Sequence, residues 1–214
     1  MEIIWHGHSC FRLTERGLAS VVTDPYDNQV VGYEPLKLRA DIVTVSHAMP
    51  GHNYATGVKG YSRLINGPGE YEIGNVFITG IQTNGQARRN PDEPRNTLYV
   101  FDYEGVTVAH LGNLSRVPSQ TEIEALETVD VLLVPVGGNG GLNAAQAAEV
   151  VSLLEPGFVI PMHYQTPAST LKLGSLGKFL KEMGLSSAEP QPSLKVTKSL
   201  VPEETRVVVL SYQH

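Results

Sequence analysis

The chain has 214 residues, one cysteine and a formal net charge of -6. A net negative charge excludes a general attraction to nucleic-acid phosphates or anionic lipid headgroups, so no nucleic-acid or membrane partner is expected. One cysteine excludes an intramolecular disulfide framework, and with no targeting pattern and no apolar run of about 18 residues the sequence predicts a cytoplasmic protein.

The first half of the sequence is predicted to be mostly β. Short apolar segments separated by glycine, Asp-Pro and polar turns are typical of consecutive strands. In chain order the predicted strands are Glu2–Trp5, Cys10–Leu13, Ala19–Thr23, Ile42–Ser46, Val76–Thr83, Thr97–Tyr103 and Val106–Leu111. Glu104 and Gly105, between the last two strands, favour a tight hairpin.

In the second half, strands and helices are predicted to alternate. Asn143 is a suitable cap for a helix, and Pro156 and Gly157 are suited to end it. The predicted elements are a helix at Thr121–Leu126, a strand at Val129–Val136, a helix at Ala144–Leu154, a strand at Phe158–Met162, a helix at Leu171–Met183 and a strand at Val207–Leu210. This order indicates layered sheets with helices outside, which we interpret as one domain over residues 1–214.

Three of the seven histidines lie beside the ends of predicted strands. His47 directly follows Ile42–Ser46, His52 lies in the loop after it, and His163 directly follows Phe158–Met162. Loops at one edge of a sheet are where α/β sites assemble. Neutral imidazole is also a preferred zinc ligand. The three histidines are therefore candidate metal ligands.

Other residues have more ordinary interpretations. His110 lies within an apolar strand and is predicted to be a core histidine bonded to a carbonyl. His6 and His214 are predicted to be solvated. Arg88 and Arg89 belong to the polar stretch between residues 84 and 95, which is predicted to be a solvated loop, with contact to an anionic substrate as the alternative.

A series of segments in chain order carries a resemblance to a known family. They are W-H-G-H-S-C-F-R-L at Trp5–Leu13, T-D-P at Thr23–Pro25, D-I-V-T-V-S-H-A-M-P-G-H-N at Asp41–Asn53, G-P-G-E at Gly67–Glu70, N-T-L-Y-V-F at Asn96–Phe101, A-H-L-G-N at Ala109–Asn113, V-D-V-L-L-V-P-V-G-G at Val129–Gly138 and V-I-P-M-H-Y at Val159–Tyr164. The series resembles the metallo-β-lactamase superfamily, in the metal-dependent hydrolase branch that includes the ascorbate-6-phosphate lactonase-like proteins. The resemblance implies an α/β fold, a four-layer αββα sandwich, and hydrolysis of a small ester, lactone or phosphate.

The two-metal site of that family is incomplete in this sequence. The retained ligands are His47, His52 and His163. Met49 stands in place of a second histidine, Gly51 in place of a carboxylate and Asn113 in place of the bridging aspartate. The segment Ile81–Ala87 contains no histidine where a further ligand would fall. A thioether is a poor ligand for a divalent ion that holds water, and the missing carboxylate is also the expected base, so two cations should not bind.

The expected partner is a small-molecule ligand or substrate, or a second copy of the chain in a homo-oligomer. Three interpretations of the site remain open. The predicted pocket also includes His8, Met49, Gly51 and Asn113. In the first, His52 and His163, with one or both of His47 and His8, hold at most one weakly bound divalent ion, zinc or manganese, in a mononuclear hydrolase. Asp24 would then orient a ligand or act as a catalytic acid or base. In the second, the pocket is metal-free and binds a metabolite, and in the third the fold is an interaction module.

Overall fold

The computed structural model describes residues 1–83 and 95–213. Its strands are β1 (Glu2–Trp5), β2 (Phe11–Thr14), β3 (Val21–Thr23), β4 (Leu38–Arg39), β5 (Ile42–Thr44), β6 (Val58–Lys59), β7 (Arg63–Ile65), β8 (Gly69–Ile73), β9 (Val76–Thr83), β10 (Asn96–Tyr103), β11 (Val106–His110), β12 (Val131–Pro135), β13 (Phe158–Met162), β14 (Leu194–Lys195) and β15 (Arg206–Val207). Its helices are α1 (Asn28–Val31), α2 (Gln120–Glu124), α3 (Ala144–Leu154) and α4 (Leu176–Glu182). Within these ranges, no helix has the length and apolar character that a membrane span requires.

Two large mixed sheets organise the fold. One has the strand order β14-β1-β2-β3-β5-β7 and the other β15-β13-β12-β11-β10-β9-β8, while β4 and β6 pair separately. In the first sheet β3, β5 and β7 are parallel neighbours. In the second, β11, β12, β13 and β15 are parallel. Each sheet therefore has one edge at which several strands end together.

The two sheets share a hydrophobic core. Trp5 and Phe11 from the first sheet belong to the same buried cluster as Tyr99 and Phe101 from the second. Burial of large aromatic side chains contributes much of the stability of such a core. Tyrosine hydroxyls also join the sheets, since the Tyr99 hydroxyl donates to the Val45 carbonyl at 3.0 Å. The sheets thus form the two inner layers.

Helices and loops cover the outer faces. Ala147, Val150 and Val151 form the buried side of α3, which packs against α4 and β12 of the second sheet. A capping box between Asn143 and Gln146 starts this helix, and Asn143 is the cap that the sequence predicted. The outer face of the first sheet carries a separate apolar cluster that includes Val31 of α1. These layers confirm the α/β, αββα architecture.

Most predicted elements are confirmed, and β1, β9, α3 and β13 have the predicted bounds. The predicted helix at Leu171–Met183 is wrong at its start, because α4 begins at Leu176. The preceding residues bond elsewhere: the Leu173 amide donates to the Gln165 side chain, and the Gly174 amide donates to the Gly137 carbonyl.

The histidine predictions outside the candidate site had different outcomes. His110 is a core histidine as predicted, fully buried with Nε2 2.9 Å from the Ser9 carbonyl oxygen. The prediction that His6 is solvated is wrong, because it is buried and its Nδ1 lies 2.9 Å from the Gln213 carbonyl oxygen. Arg88, Arg89 and His214 lie outside the described residues.

Candidate metal centre

The candidate site lies where strand ends of the two sheets face each other. Asp24 directly follows β3, His47 lies just beyond β5, and His163 directly follows β13. His8 lies in the loop that joins β1 to β2. Parallel strands place the residues after their carboxyl ends at a common edge, so residues distant in sequence meet here.

Three histidines form a compact group. One nitrogen each from His8, His52 and His163 lies within 4.8 Å of the other two. The ring centroids of His8 and His163 are 4.4 Å apart, and those of His8 and His52 are 4.9 Å apart. All three side chains are buried. Among the described residues, these three are the His, Cys, Asp or Glu side chains that lie close enough together to hold a metal ion.

Asp24 fixes the orientation of one member of this group. Its side chain is fully buried, and Oδ2 lies 2.8 Å from Nδ1 of His52. Ser46 donates its backbone N–H to Oδ1 at 2.7 Å and its hydroxyl to Oδ2 at 2.5 Å. A carboxylate at Nδ1 favours the tautomer that carries its proton there. The lone pair of His52 is then on Nε2 and free to bind a metal.

Two of the clustered histidines have an unpaired ring nitrogen. Nδ1 of His8 and Nδ1 of His163 are buried and have no hydrogen-bond partner among the described residues. Burying a polar atom without a hydrogen-bond partner is unfavourable in free energy, so such an atom is expected to bind water or an ion. A divalent ion at the centre of the three imidazoles would bind one nitrogen of each ring, and imidazole nitrogen is a preferred zinc ligand, so the donor set fits one ion.

Burial keeps the imidazoles of His8 and His163 neutral. Burial, with a smaller contribution from the neighbouring His52, lowers the pKa of His163 to about 3. Burial, with His163 and His52 nearby, also holds the pKa of His8 well below its usual value. Neutral imidazole is the form that binds metals. His8 and His163 are therefore in the ligand form at neutral pH.

The carboxyl of Asp24, in contrast, is charged. Burial alone would raise its pKa, but His110, His52 and the Ser46 hydroxyl together lower the pKa below its ordinary value. Asp24 is thus a carboxylate at neutral pH, with a negative charge held directly behind His52. This charge partly compensates for the absence of a carboxylate within the three-histidine group.

Three residues of the site have left-handed backbone conformations. His8 and His163 both have φ of 52°, and Asp24 has φ of 39°. Left-handed conformations are unfavourable for residues other than glycine, and they persist where the surrounding structure imposes them. The His8 carbonyl accepts from the His163 amide and from Trp5 Nε1, each at 3.1 Å, which links the two strained loops.

The other predicted site residues lie around this group. His47 is buried with its ring centroid 5.5 Å from that of His52, but it is not a member of the three-histidine group. Burial lowers the pKa of His47 to about 4, with His52 acting in the same direction and Asp24 opposing it. Met49 is 52% exposed. The sequence indicated His8 as a pocket residue but left open whether it is a ligand.

Gly51 and Asn113 occupy defined positions beside the site. A Cβ at Gly51 would lie 3.1 Å from Nε2 of His8, so the His8 ring fills the space next to this glycine. The backbone N–H of Asn113 donates to Oδ1 of Asn96 at 2.8 Å. Oδ1 of Asn113 is buried without a hydrogen-bond partner among the described residues and would lie 3.0 Å from a Cβ at Gly141.

Comparison with known proteins supplies independent information on this chain. A family model described as a beta-lactamase superfamily domain matches residues 2–163, a range that includes all three clustered histidines. A UPF0173 metal-dependent hydrolase of Thermoplasma acidophilum is 29% identical over 196 residues, covering 78% of this chain and 84% of the relative. A UPF0173 protein of Pyrococcus furiosus is also 29% identical, with the same coverage.

Solved structures show the same similarity. A protein of Thermotoga maritima, provisionally described as a Zn-dependent hydrolase of the metallo-β-lactamase superfamily, is 37% identical with a TM-score of 0.80. That match covers 98% of this chain and 97% of the other. The metallo hydrolase Igni18 of Ignicoccus hospitalis shares the fold at 19% identity and a TM-score of 0.68, covering 92% of this chain and 99% of the other.

Proposed function

This chain belongs to the metallo-β-lactamase superfamily, and on that premise we propose that it is a metal-dependent hydrolase with a single-ion site. The ligands are His8, His52 and His163. The observation that carries the proposal is the convergence of these buried imidazoles, with one nitrogen from each within 4.8 Å of the others. Three histidines leave one position of a tetrahedral ion open, which is the arrangement of catalytic zinc sites.

The residues around the group favour one ion over two. Met49 is half exposed, Gly51 has no side chain, and the space beside Gly51 is filled by the His8 ring. Asn113 contributes a neutral oxygen where a second cation would require negative charge. His8 thus takes the place that a carboxylate at position 51 would otherwise occupy. We therefore propose that His8, rather than His47, completes the set with His52 and His163.

Each residue has a distinct part in the proposed reaction, hydrolysis of a small ester, lactone or phosphate. A bound divalent ion would supply Lewis acidity to the substrate oxygen and to water. Asp24, with both oxygens occupied by His52 and Ser46, is a positioning residue rather than an acid or base. Nδ1 of His47 accepts from the Met49 amide at 3.4 Å, so its Nε2 carries the proton and can donate to substrate.

Metal removal and replacement test the proposed function. Chelator-treated protein should not hydrolyse 4-nitrophenyl butyrate, and one equivalent of zinc or manganese should restore hydrolysis. Equal activity of the chelator-treated and reconstituted proteins would contradict the proposal. A metal-saturated protein inactive on esters, lactones and phosphate esters would contradict it as well. Failure to bind either metal at saturating concentration would favour the metal-free metabolite pocket instead.

A further inference from the structure

A cavity of about 500 Å³ lies beside the candidate metal centre. His47 is one of its lining residues, and the His47 ring centroid is 5.5 Å from that of His52. A molecule in this cavity would therefore extend to the edge of the three-histidine group. A volume of this size is within the range of small-molecule sites.

The cavity has a positive charge and, among the described residues that line it, no carboxylate. Arg95 is the charged side chain among the described lining residues, and it has no salt bridge to any residue of 1–83 or 95–213. Asn53, Asn66 and Gln82 add amide groups, while Val45, Leu64 and Pro68 add apolar surface. A guanidinium with amide donors nearby is suited to bind a carboxylate through charge-assisted hydrogen bonds.

We propose that this cavity binds the acid portion of the substrate, and that the substrate is a small ester whose acid portion carries a second, free carboxylate. The carboxylate binds Arg95, and the ester carbonyl lies past His47 at the three-histidine group. The apolar side chains contact the short carbon chain between the two ends. This inference rests on the proposed function, since it assigns the substrate class of the same site.

Two matched esters test the proposal in the metal-reconstituted protein. They are 4-nitrophenyl hemisuccinate, which carries a free carboxylate, and 4-nitrophenyl butyrate, which is neutral. In the unaltered protein kcat/KM should be higher for the hemisuccinate. Arg95→Gln should lower kcat/KM for the hemisuccinate on the order of tenfold to a hundredfold, mostly through KM, because it removes a charged hydrogen-bond donor. The butyrate value should change by less than about twofold.

A matched control separates the role of the cavity from a general loss of positive charge. Arg206→Gln removes an exposed arginine on β15 that does not line the cavity. It should leave both kcat/KM values unchanged. Equal kcat/KM for the two esters, or an equal loss in the two arginine variants, would overturn the proposal.

A binding measurement keeps this inference separate from the proposed function. Succinanilic acid and butyranilide are amide analogues of the two esters, and their affinities can be measured by calorimetry whether or not the protein hydrolyses esters. Tighter binding of succinanilic acid, weakened on the order of tenfold or more by Arg95→Gln alone, supports the cavity assignment even if no ester is hydrolysed. Equal affinity for the two analogues would overturn it even if both esters are hydrolysed.

Discussion

The His8→Asn variant is expected to lose high-affinity zinc, whereas the matched His47→Asn variant is expected to retain it. His8 belongs to the three-histidine group and His47 does not. Structural zinc sites gain about 10–16 kcal/mol from their ligands together, so one imidazole contributes about 3 kcal/mol, or on the order of a hundredfold in affinity. Asparagine is chosen because it tolerates the left-handed conformation at position 8, where φ is 52°.

Competition with a chromogenic zinc chelator measures both affinities. Circular dichroism and thermal unfolding of the metal-free variants show whether each is folded, so that a loss of affinity is not confused with a loss of structure. If His47→Asn loses zinc while His8→Asn keeps it, His47 is the ligand and the proposed set is incorrect. If neither variant changes the affinity, the metal binds elsewhere.

Asp24→Asn is expected to weaken zinc binding by about 10–100-fold, although Asp24 is not itself a ligand. The carboxylate oxygen Oδ2 lies 2.8 Å from His52 Nδ1 and also accepts from the Ser46 hydroxyl. An amide nitrogen at that position would donate instead of accept, so Nδ1 of His52 would lose its proton and Nε2 would gain one. The protonated Nε2 has no lone pair to bind the ion.

Asp130→Asn is the matched control for this effect. Asp130 is also a buried carboxylate, but it accepts from Lys198 Nζ at 2.7 Å and from the Thr107 amide at 2.9 Å, away from the histidines. This variant should unfold at lower urea concentration while its zinc affinity stays within about twofold of the original. An Asp24→Asn protein that binds zinc as tightly as Asp130→Asn would contradict the positioning role of Asp24.

The strands and helices that depend on neighbouring residues alone could be predicted from the sequence. Alternating or continuous apolar runs indicated β1, β9 and β13, and Asn143 indicated the start of α3. The start of α4 could not be predicted in this way. Leu173 and Gly174 have acceptable helical neighbours, but their amides bond to Gln165 and Gly137, contacts that only the folded chain creates.

The candidate site was only partly predictable for the same reason. His52, His163 and Asp24 follow strands or stand in motifs, so the sequence indicated them. The choice between His8 and His47 depends on which ring points to His52 and His163. The spacing of residues in the sequence does not determine that direction. The signal that could have favoured His8 is Gly51, because a residue without a side chain leaves room for the ring that the structure places 3.1 Å from its Cβ position.

The number and type of metal ligands in the unaltered protein test the central claim most directly. Metal analysis after saturation with zinc, combined with X-ray absorption at the zinc edge, reports both quantities on the same sample. We expect one ion per chain with three imidazole nitrogens in its coordination shell. Two ions per chain, or a shell dominated by carboxylate oxygen or thioether sulfur, would contradict it.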